Sequence, residues 1–411
     1  MIYGRPVGGA GGGATVEYVD YGNDAGITQQ AAFIQAAADS LGIARQKSAQ
    51  VGGYLLFGGG QDAYNNYKTA VVAYDTSLVQ SSPAAFAQSK VGHAAVSVGE
   101  YALFAGGATS TSGGSGTTVY AYNTALTQSV PTALSWSNPY YLSGTKTRSH
   151  ALFGGGGRAT AVNAYDASLT RTSPAELAGA GYIAMSGSAG EYALFVGLSA
   201  TGAAGLVACA YDASLTRVEL TPLSVGRYGG ASANVGDYVL FAGGNTDNSM
   251  PFLSAGTAYV DAYDSSLTRS TAASLPIAVS DNGGTSLSGL YALFGGGYTT
   301  GTNMPSNGVC AYDKSLTVKT LSALSNNSGC GVCGGEIGSY AVFGGGMVTG
   351  NSPTSYRYAQ AYRLDPVEIV VPDQCKYAFG GEEEATASGK VTLSLAPPVN
   401  GYIKYTNTTI S

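Results

Sequence analysis

Few side chains in this sequence are of a kind that could do chemistry, and their spacing argues against most of it. The two histidines, His93 and His150, stand far apart with no Ser, Cys or metal-ligand pattern beside them, so packing is the expected role. No Gly-x-Ser-x-Gly elbow, phosphate loop, His-Glu-x-x-His pair or calcium loop occurs. Cys330-Gly-Val-Cys333 has the spacing of half a zinc site, but no second pair and no nearby histidine completes it. Cys209 and Cys310 each stand two residues before a Tyr and read as small core residues; the run Glu382-Glu383-Glu384 reads as a solvated turn. The expectation is a protein that is not an enzyme and uses no cofactor and no metal. What remains is chemistry of recognition. Tyr64, Tyr67, Trp136, Tyr140, Tyr141, Arg227, Tyr228, Phe252, Asp281, Asn282, Tyr356 and Arg357 lie in polar, glycine-rich stretches. Aromatic platforms beside adaptable hydrogen-bonding groups suit sugars or a protein epitope.

The composition fits turn-rich β structure. Gly is 61 of 411 residues, Tyr reaches 30, and only 11% of residues are charged, well below the usual quarter or so. Net charge is −6 and no Lys/Arg cluster exists, which argues against a nucleic-acid partner. No apolar run approaches the roughly 20 residues of a membrane helix, so no membrane insertion is expected. The start, Met1-Ile-Tyr-Gly-Arg-Pro-Val, lacks the apolar core of a secretory signal. Five cysteines do not make a disulfide framework, and synthesis in a reducing bacterial cytoplasm is expected.

The elements that must position those residues announce themselves by repetition. Tyr54-Leu-Leu-Phe57-Gly-Gly recurs around Phe104, Phe153, Phe195, Phe241, Phe294 and Phe343, at spacings of 47, 49, 42, 46, 53 and 49. Each copy is followed by Ala-Tyr-Asp or a close variant, ending at Asp75, Asn123, Asp166, Asp212, Asp264, Asp313 and Arg363. Each unit has the pattern of a four-stranded sheet. A short strand and a tight Gly turn precede an apolar strand closed by a glycine doublet; a third strand ends at Ala-Tyr-Asp, and Ser-Leu-Thr-Arg begins the fourth. One such sheet cannot bury both faces, so stacking around an axis is the stable solution.

A hydrophobic run ending in Gly-Gly, with a Tyr some 17 to 22 residues on and a period near 50, resembles the kelch repeat. The resemblance implies an all-β, seven-bladed propeller over residues 45–371. Two departures stand out. The family's Trp in the fourth strand is missing, with Leu169, Leu215, Leu267 and Leu316 in a shorter turn, and Val196-Gly197-Leu198 loses half a doublet. Copper oxidases built on kelch propellers use several Tyr and His ligands, and this chain lacks the histidines.

Strand order gives the ring a polarity. The turns between strands one and two and between three and four fall on one face and are nearly identical among repeats. The second-to-third and repeat-to-repeat connections fall on the other and diverge, and they carry the recognition residues named above. Divergence on one rim is how repeat proteins carry a binding surface.

Residues 1–44 are expected to attach or oligomerise through a strand at Val16–Val19 and a helix over about 25–42, with Ile27, Phe33, Ile34 and Leu41 on its apolar side. Residues 372–411 are expected to form a small β-hairpin module, pairing 390–395 with 401–405. The wording of the repeats is similar to that of kelch-like virion and tail proteins of phages and prophages of gut Firmicutes. That resemblance implies a homo-oligomeric virion component, a tail fibre or receptor-binding protein, held to other virion proteins by its N-terminal segment. Its rim would contact a host-surface glycan or protein. A kelch adaptor for a bacterial protein and an extracellular carbohydrate-binding propeller are the alternatives.

Overall fold

The structure is a computed structural model that describes residues 15–20, 27–29, 33–34, 43–111, 114, 116–157, 159–179, 185–198, 206–246, 256–299, 304–324, 329–348, 354–355, 358–364, 367–371, 375–379, 385–386, 391–395 and 402–407. The chain divides into two compact units, Gln29–Ala361 and a second assembled from Met1–Thr28 and Tyr362–Ser411.

Seven antiparallel sheets form the first unit as the blades of a β-propeller, and no helix occurs among the described residues. Blade one runs outward through Lys47–Val51, Tyr54–Gly58, Val71–Asp75 and Gln80–Ser81. Blades two to six repeat this order from inner strands Ala94–Val98, Ser143–Lys146, Met185–Ala189, Ala231–Val235 and Gly283–Leu287. Blade seven begins with Cys333–Ile337 and Tyr340–Gly344, continues with Tyr358–Leu364, and gains its outer edge from Ile27–Gln29 and Phe33–Ile34.

That edge corrects the expected helix over 25–42. Ile27, Phe33 and Ile34 lie in strands, with Phe33 opposite Ala359 and Ile34 opposite Tyr358; Leu41 falls outside the described residues. The reason lies in the seventh repeat. Arg363 replaces the turn-forming Asp, and no Ser-Leu-Thr follows it to start a fourth strand. The third strand's free backbone groups therefore need a partner from elsewhere in the chain. Ile and Phe suit a strand at least as well as a helix, and distant pairing overrides local period.

The expected hairpin near the C-terminus is also corrected. Val391–Leu395 pairs with Val367–Val371, setting Leu393 opposite Ile369. Tyr402–Asn407 pairs instead with Cys375–Phe379 and with Thr15–Asp20, so that Tyr405 meets both Tyr377 and Glu17. Alternation marks both segments as strands but carries no information about which neighbour each will take.

Within the propeller, one set of contacts recurs blade after blade. The Phe of the second strand meets the Tyr of the third edge-on, with ring centroids 5.8–6.1 Å apart in six blades, from Phe57–Tyr74 to Phe294–Tyr312. The Tyr hydroxyl then reaches back to the preceding blade. Tyr122 donates to the Ala84 carbonyl (2.6 Å), Tyr165 to Thr132 (2.7 Å), Tyr211 to Ala175 (2.7 Å), Tyr263 to Thr221 (2.8 Å) and Tyr312 to Ala273 (2.9 Å). Each layer between blades thus has an apolar filling and a polar hook at its edge.

The turn after this Tyr is equally regular. Asp75 Oδ1 accepts from the amides of Ser77 (2.8 Å) and Val79 (2.9 Å), and Asp166, Asp212, Asp264 and Asp313 do the same in their blades. The cap forces Leu78, Leu126, Leu169, Leu215, Leu267 and Leu316 to φ between 59° and 65°. A Leu in this region costs about 1 kcal/mol or more. Packing each half-buried Leu against the layer between blades offsets that, since even half of the roughly 2 kcal/mol gained by a fully buried Leu is of the same size. This is what stands in place of the missing Trp.

On the opposite face the glycine doublets turn the chain. Gly60 has φ 95°, and a Cβ there would lie 2.4 Å from the Ala44 carbonyl oxygen; no other residue fits. Blade four, with half a doublet, does not turn at this point. Its second strand runs on to Leu198, which pairs with Leu206.

Candidate functional site

The inner strands surround a channel of about 260 Å3. The second residue of each strand faces it: Ser48, Ala95, Gly144, Ser186, Ser232, Gly284 and Gly334. Nothing larger than Ser occurs there. Neighbouring strands are tied across the channel wall by Ser48 Oγ to the Gly334 carbonyl (2.5 Å), Ser186 to Gly144 (2.8 Å) and Ser232 to Ser186 (2.6 Å).

At the divergent face the channel opens into a mouth of about 100 Å3. The residue two places before each inner strand sets its rim, and all six that are described have positive φ: Arg45 (56°), Gly92 (63°), Tyr141 (56°), Gly229 (67°), Asp281 (53°) and Gly331 (71°). Main-chain bonds between blades require this conformation. Arg45 N–H donates to Gly331 O (2.7 Å), Gly331 to Asp281 O (3.0 Å), Asp281 to Gly229 O (2.7 Å) and Tyr141 to Gly92 O (2.7 Å). Glycine would satisfy every one of these positions at less cost. Three of them instead carry Arg, Tyr and Asp, and each of these follows a glycine in the ring. A Cβ on Gly92 would come 2.8 Å from Tyr141 Cδ1, and one on Gly331 would come 2.7 Å from Arg45 Cγ. The glycines leave room for the neighbouring side chains to lie across them.

Arg45 and Asp281 form an ion pair at the mouth, Nη2 to Oδ2 at 3.3 Å, with side chains 17% and 24% exposed. Burial works against the Arg45 charge, but Asp281, Cys330 and Tyr141 together hold its pKa above the ordinary arginine value. Burial raises the Tyr141 pKa, which the Arg45 charge counters in part. At 3.3 Å the pair is longer than a well-formed charged hydrogen bond of about 2.8 Å. Behind it the side chains of buried Asn282 and Gln46 turn away from the mouth into the layers between blades, with Asn282 Oδ1 against Gly243 and Gln46 Oε1 against Gly345, and these atoms have no hydrogen-bond partner. Lys47 adds a further positive charge at the wall.

Arg227 contrasts with Arg45. It is fully buried, 2.7 Å from Asp261 Oδ2, and donates to the carbonyls of Gly243 (2.9 Å), Phe241 (2.8 Å) and Val225 (3.1 Å). Asp261 also accepts from Arg269 (2.7 Å) and from the Ser224 hydroxyl (3.0 Å) and amide (3.1 Å). Burial would raise the Asp261 pKa, but these donors hold it below the usual carboxylate range. This cluster closes the layer between blades four and five, and its groups are spent inside the fold. Tyr228 beside it is buried too.

The remaining sequence candidates divide clearly. Tyr141, Asp281 and Asn282 meet at the mouth, and half-buried Tyr140 lies edge-on to Tyr141 at 5.6 Å. Tyr64 projects from blade one, 64% exposed, in a loop fixed by Asp62, whose Oδ1 accepts from the amides of Tyr64 and Asn66, both at 2.9 Å. Tyr67 closes the same loop half-buried, and Trp136 is half-buried against the layer between blades two and three. Phe252, Tyr356 and Arg357 lie outside the described residues. Arg45 and Gln46 were not among the sequence candidates. An apolar cleft of about 50 Å3 near Leu275, Ile277 and Val309 holds no charged group. Among the described residues no group of three or more His, Cys, Asp or Glu could hold a metal ion, and no helix is long and apolar enough to cross a membrane.

No protein-family model matches this chain, and no curated protein matches it.

Proposed function

We propose that the chain is a non-catalytic attachment protein that binds through the divergent face of its propeller. The observation that supports this most is the mouth, where three residues with large or charged side chains occupy positive-φ positions that glycine fills in the neighbouring blades. Strain carried by charged or polar side chains at an opening, with no apolar packing to offset it, is a mark of functional sites. The resemblance of the repeats to virion and tail proteins of phages of gut Firmicutes extends the reading. In that setting the chain is a tail-fibre or receptor-binding component, and its partner is the host surface. The N-terminal segment, proposed as the link to other virion proteins, has part of its length in the edge of blade seven. A link would therefore use residues preceding Ile27.

The test is attachment of the labelled full-length chain to intact cells of gut Firmicutes. Binding that saturates is expected, and Tyr64→Ala on the divergent face should weaken it about tenfold with no change in melting temperature. Val79→Ala, at an exposed position beside the repeated turn of blade one, should leave it unaltered. Equal loss from both substitutions, or no saturable binding, would refute the reading.

A further inference from the structure

The chemistry of the mouth selects among ligand classes. Arg45 and Lys47 offer only donors, and Asp281 offers only acceptors. A free anion would meet the Asp281 carboxylate, and a cation would meet two positive charges. An apolar ligand would take the Arg45–Asp281 pair further out of water and return no hydrogen bond to either charge. A ring of neutral hydroxyls avoids all three conflicts, because every hydroxyl both donates and accepts. Tyr141, lying across Gly92, supplies an aromatic surface at the same opening.

We propose that the channel mouth is a binding pocket for the terminal residue of a neutral sugar chain. Arg45 and Asp281 bond the hydroxyls, and Tyr141 contacts one side of the ring. A mouth of about 100 Å3 takes one sugar ring, so recognition is of a chain end. This rests on the reading of the divergent face as the attachment face and names what that face holds.

The backbone supplies an unusual test. Arg45, Tyr141 and Asp281 sit where blades two, five and seven carry glycine, and adjacent blades are joined at these positions by main-chain bonds, the Arg45–Asp281 ion pair being the side-chain link that glycine removes. Replacing all three (Arg45→Gly, Tyr141→Gly and Asp281→Gly) should leave the melting temperature unchanged or raised, while sugar binding falls about tenfold or more. Tyr141→Gly alone, which removes the aromatic surface and keeps the ion pair, should behave alike. Binding is measured by titration calorimetry of the full-length chain with free neutral hexoses, N-acetylhexosamines and hexuronic acids. At least one neutral sugar is expected to bind, and both variants to lose it.

Binding of hexuronic acids alone would overturn the assignment, because Asp281 would then face a like charge. A clear fall in melting temperature of the triple-glycine variant would make the three side chains a structural staple and would also overturn it. If no neutral sugar binds but cells are still bound, the sugar pocket is wrong and the attachment reading survives. If neither is bound, both fall.

Discussion

The two faces of the propeller solve the same backbone problem with different residues. Among the described residues each face holds six blades' worth of one positive-φ position, the leucines of blades one to six and the mouth residues of every blade but the fourth. On the face of repeated turns it is always Leu, from Leu78 to Leu316, and the side chain is drawn into the layer between blades. On the divergent face the equivalent requirement is met by Gly92, Gly229 and Gly331 but also by Arg45, Tyr141 and Asp281. There the side chains line an opening. Strain offset by apolar packing marks scaffold; strain carried by charged and polar side chains at an opening marks a surface kept for something else. The buried cations draw the same line within the divergent face. Arg227 and Lys90 occupy matching connections, and each donates to the first glycine of the next doublet, Gly243 (2.9 Å) and Gly106 (2.6 Å). Only Arg227 has a carboxylate.

The largest effect is expected where that comparison is most exposed to failure. Asp261→Ala should cost about 3–5 kcal/mol in urea unfolding, because Arg227 is left charged and buried. A loss below about 1 kcal/mol would mean that water reaches Arg227 and that its connection belongs with the open rim. Next comes Leu267→Gly on the repeated face, which relieves the backbone but empties part of a layer. A net loss of about 1–2 kcal/mol is expected, against none for glycine at the mouth. Equal outcomes at the two faces would erase the distinction between them.

The smallest effect concerns Lys90. Burial pushes its pKa down to about 7, and its ammonium has only the carbonyls of Gly106 (2.6 Å) and Thr118 (2.9 Å) and the face of Tyr120 for company. In the unfolded chain it titrates near 10.4. Between these values the unfolded chain binds more protons, so stability rises with pH. Denaturation midpoints should therefore climb by the equivalent of about 1 kcal/mol from pH 7 to about 8.5, below the range where the buried thiols and phenols oppose it. Lys90→Met should flatten that climb. A climb of the same size in the variant would assign it to another group.

Blade number, strand order and the polarity of the ring were legible in the sequence because each rests on local signals that recur: Phe before a glycine doublet, then Tyr-Asp before Ser-Leu-Thr. The edge of blade seven was not. Ile27 to Ile34 has no local feature that points to Ala359 and Tyr358, and only the missing Asp at Arg363 hinted that a strand was owed. The sheets at the chain ends failed to show for the same reason, since period two makes a strand and leaves its neighbour open. The site was half visible. Tyr141, Asp281 and Asn282 stood in divergent loops, but Arg45 was the first residue of the expected propeller and followed no blade whose connection would have drawn attention to it. Its signal was the column it shares with Gly92, Gly229 and Gly331. Arg227 misled for the opposite reason: a charge in a loop looked free, although Asp261 breaks an otherwise apolar strand and was the clue to its partner.

The outer edge of blade seven also sets an order in time. Phe33 and Ile34 emerge from the ribosome before any blade, while Tyr358 and Ala359 emerge after nearly all of them. Six blades can stack as they are made, but the early strand stays unpaired until the last blade arrives, with its hydrogen-bonding edge open to any matching strand. Two chains made side by side can each fill the other's vacancy. Closure within one chain and exchange between two compete, and the crowding of nascent chains sets the ratio.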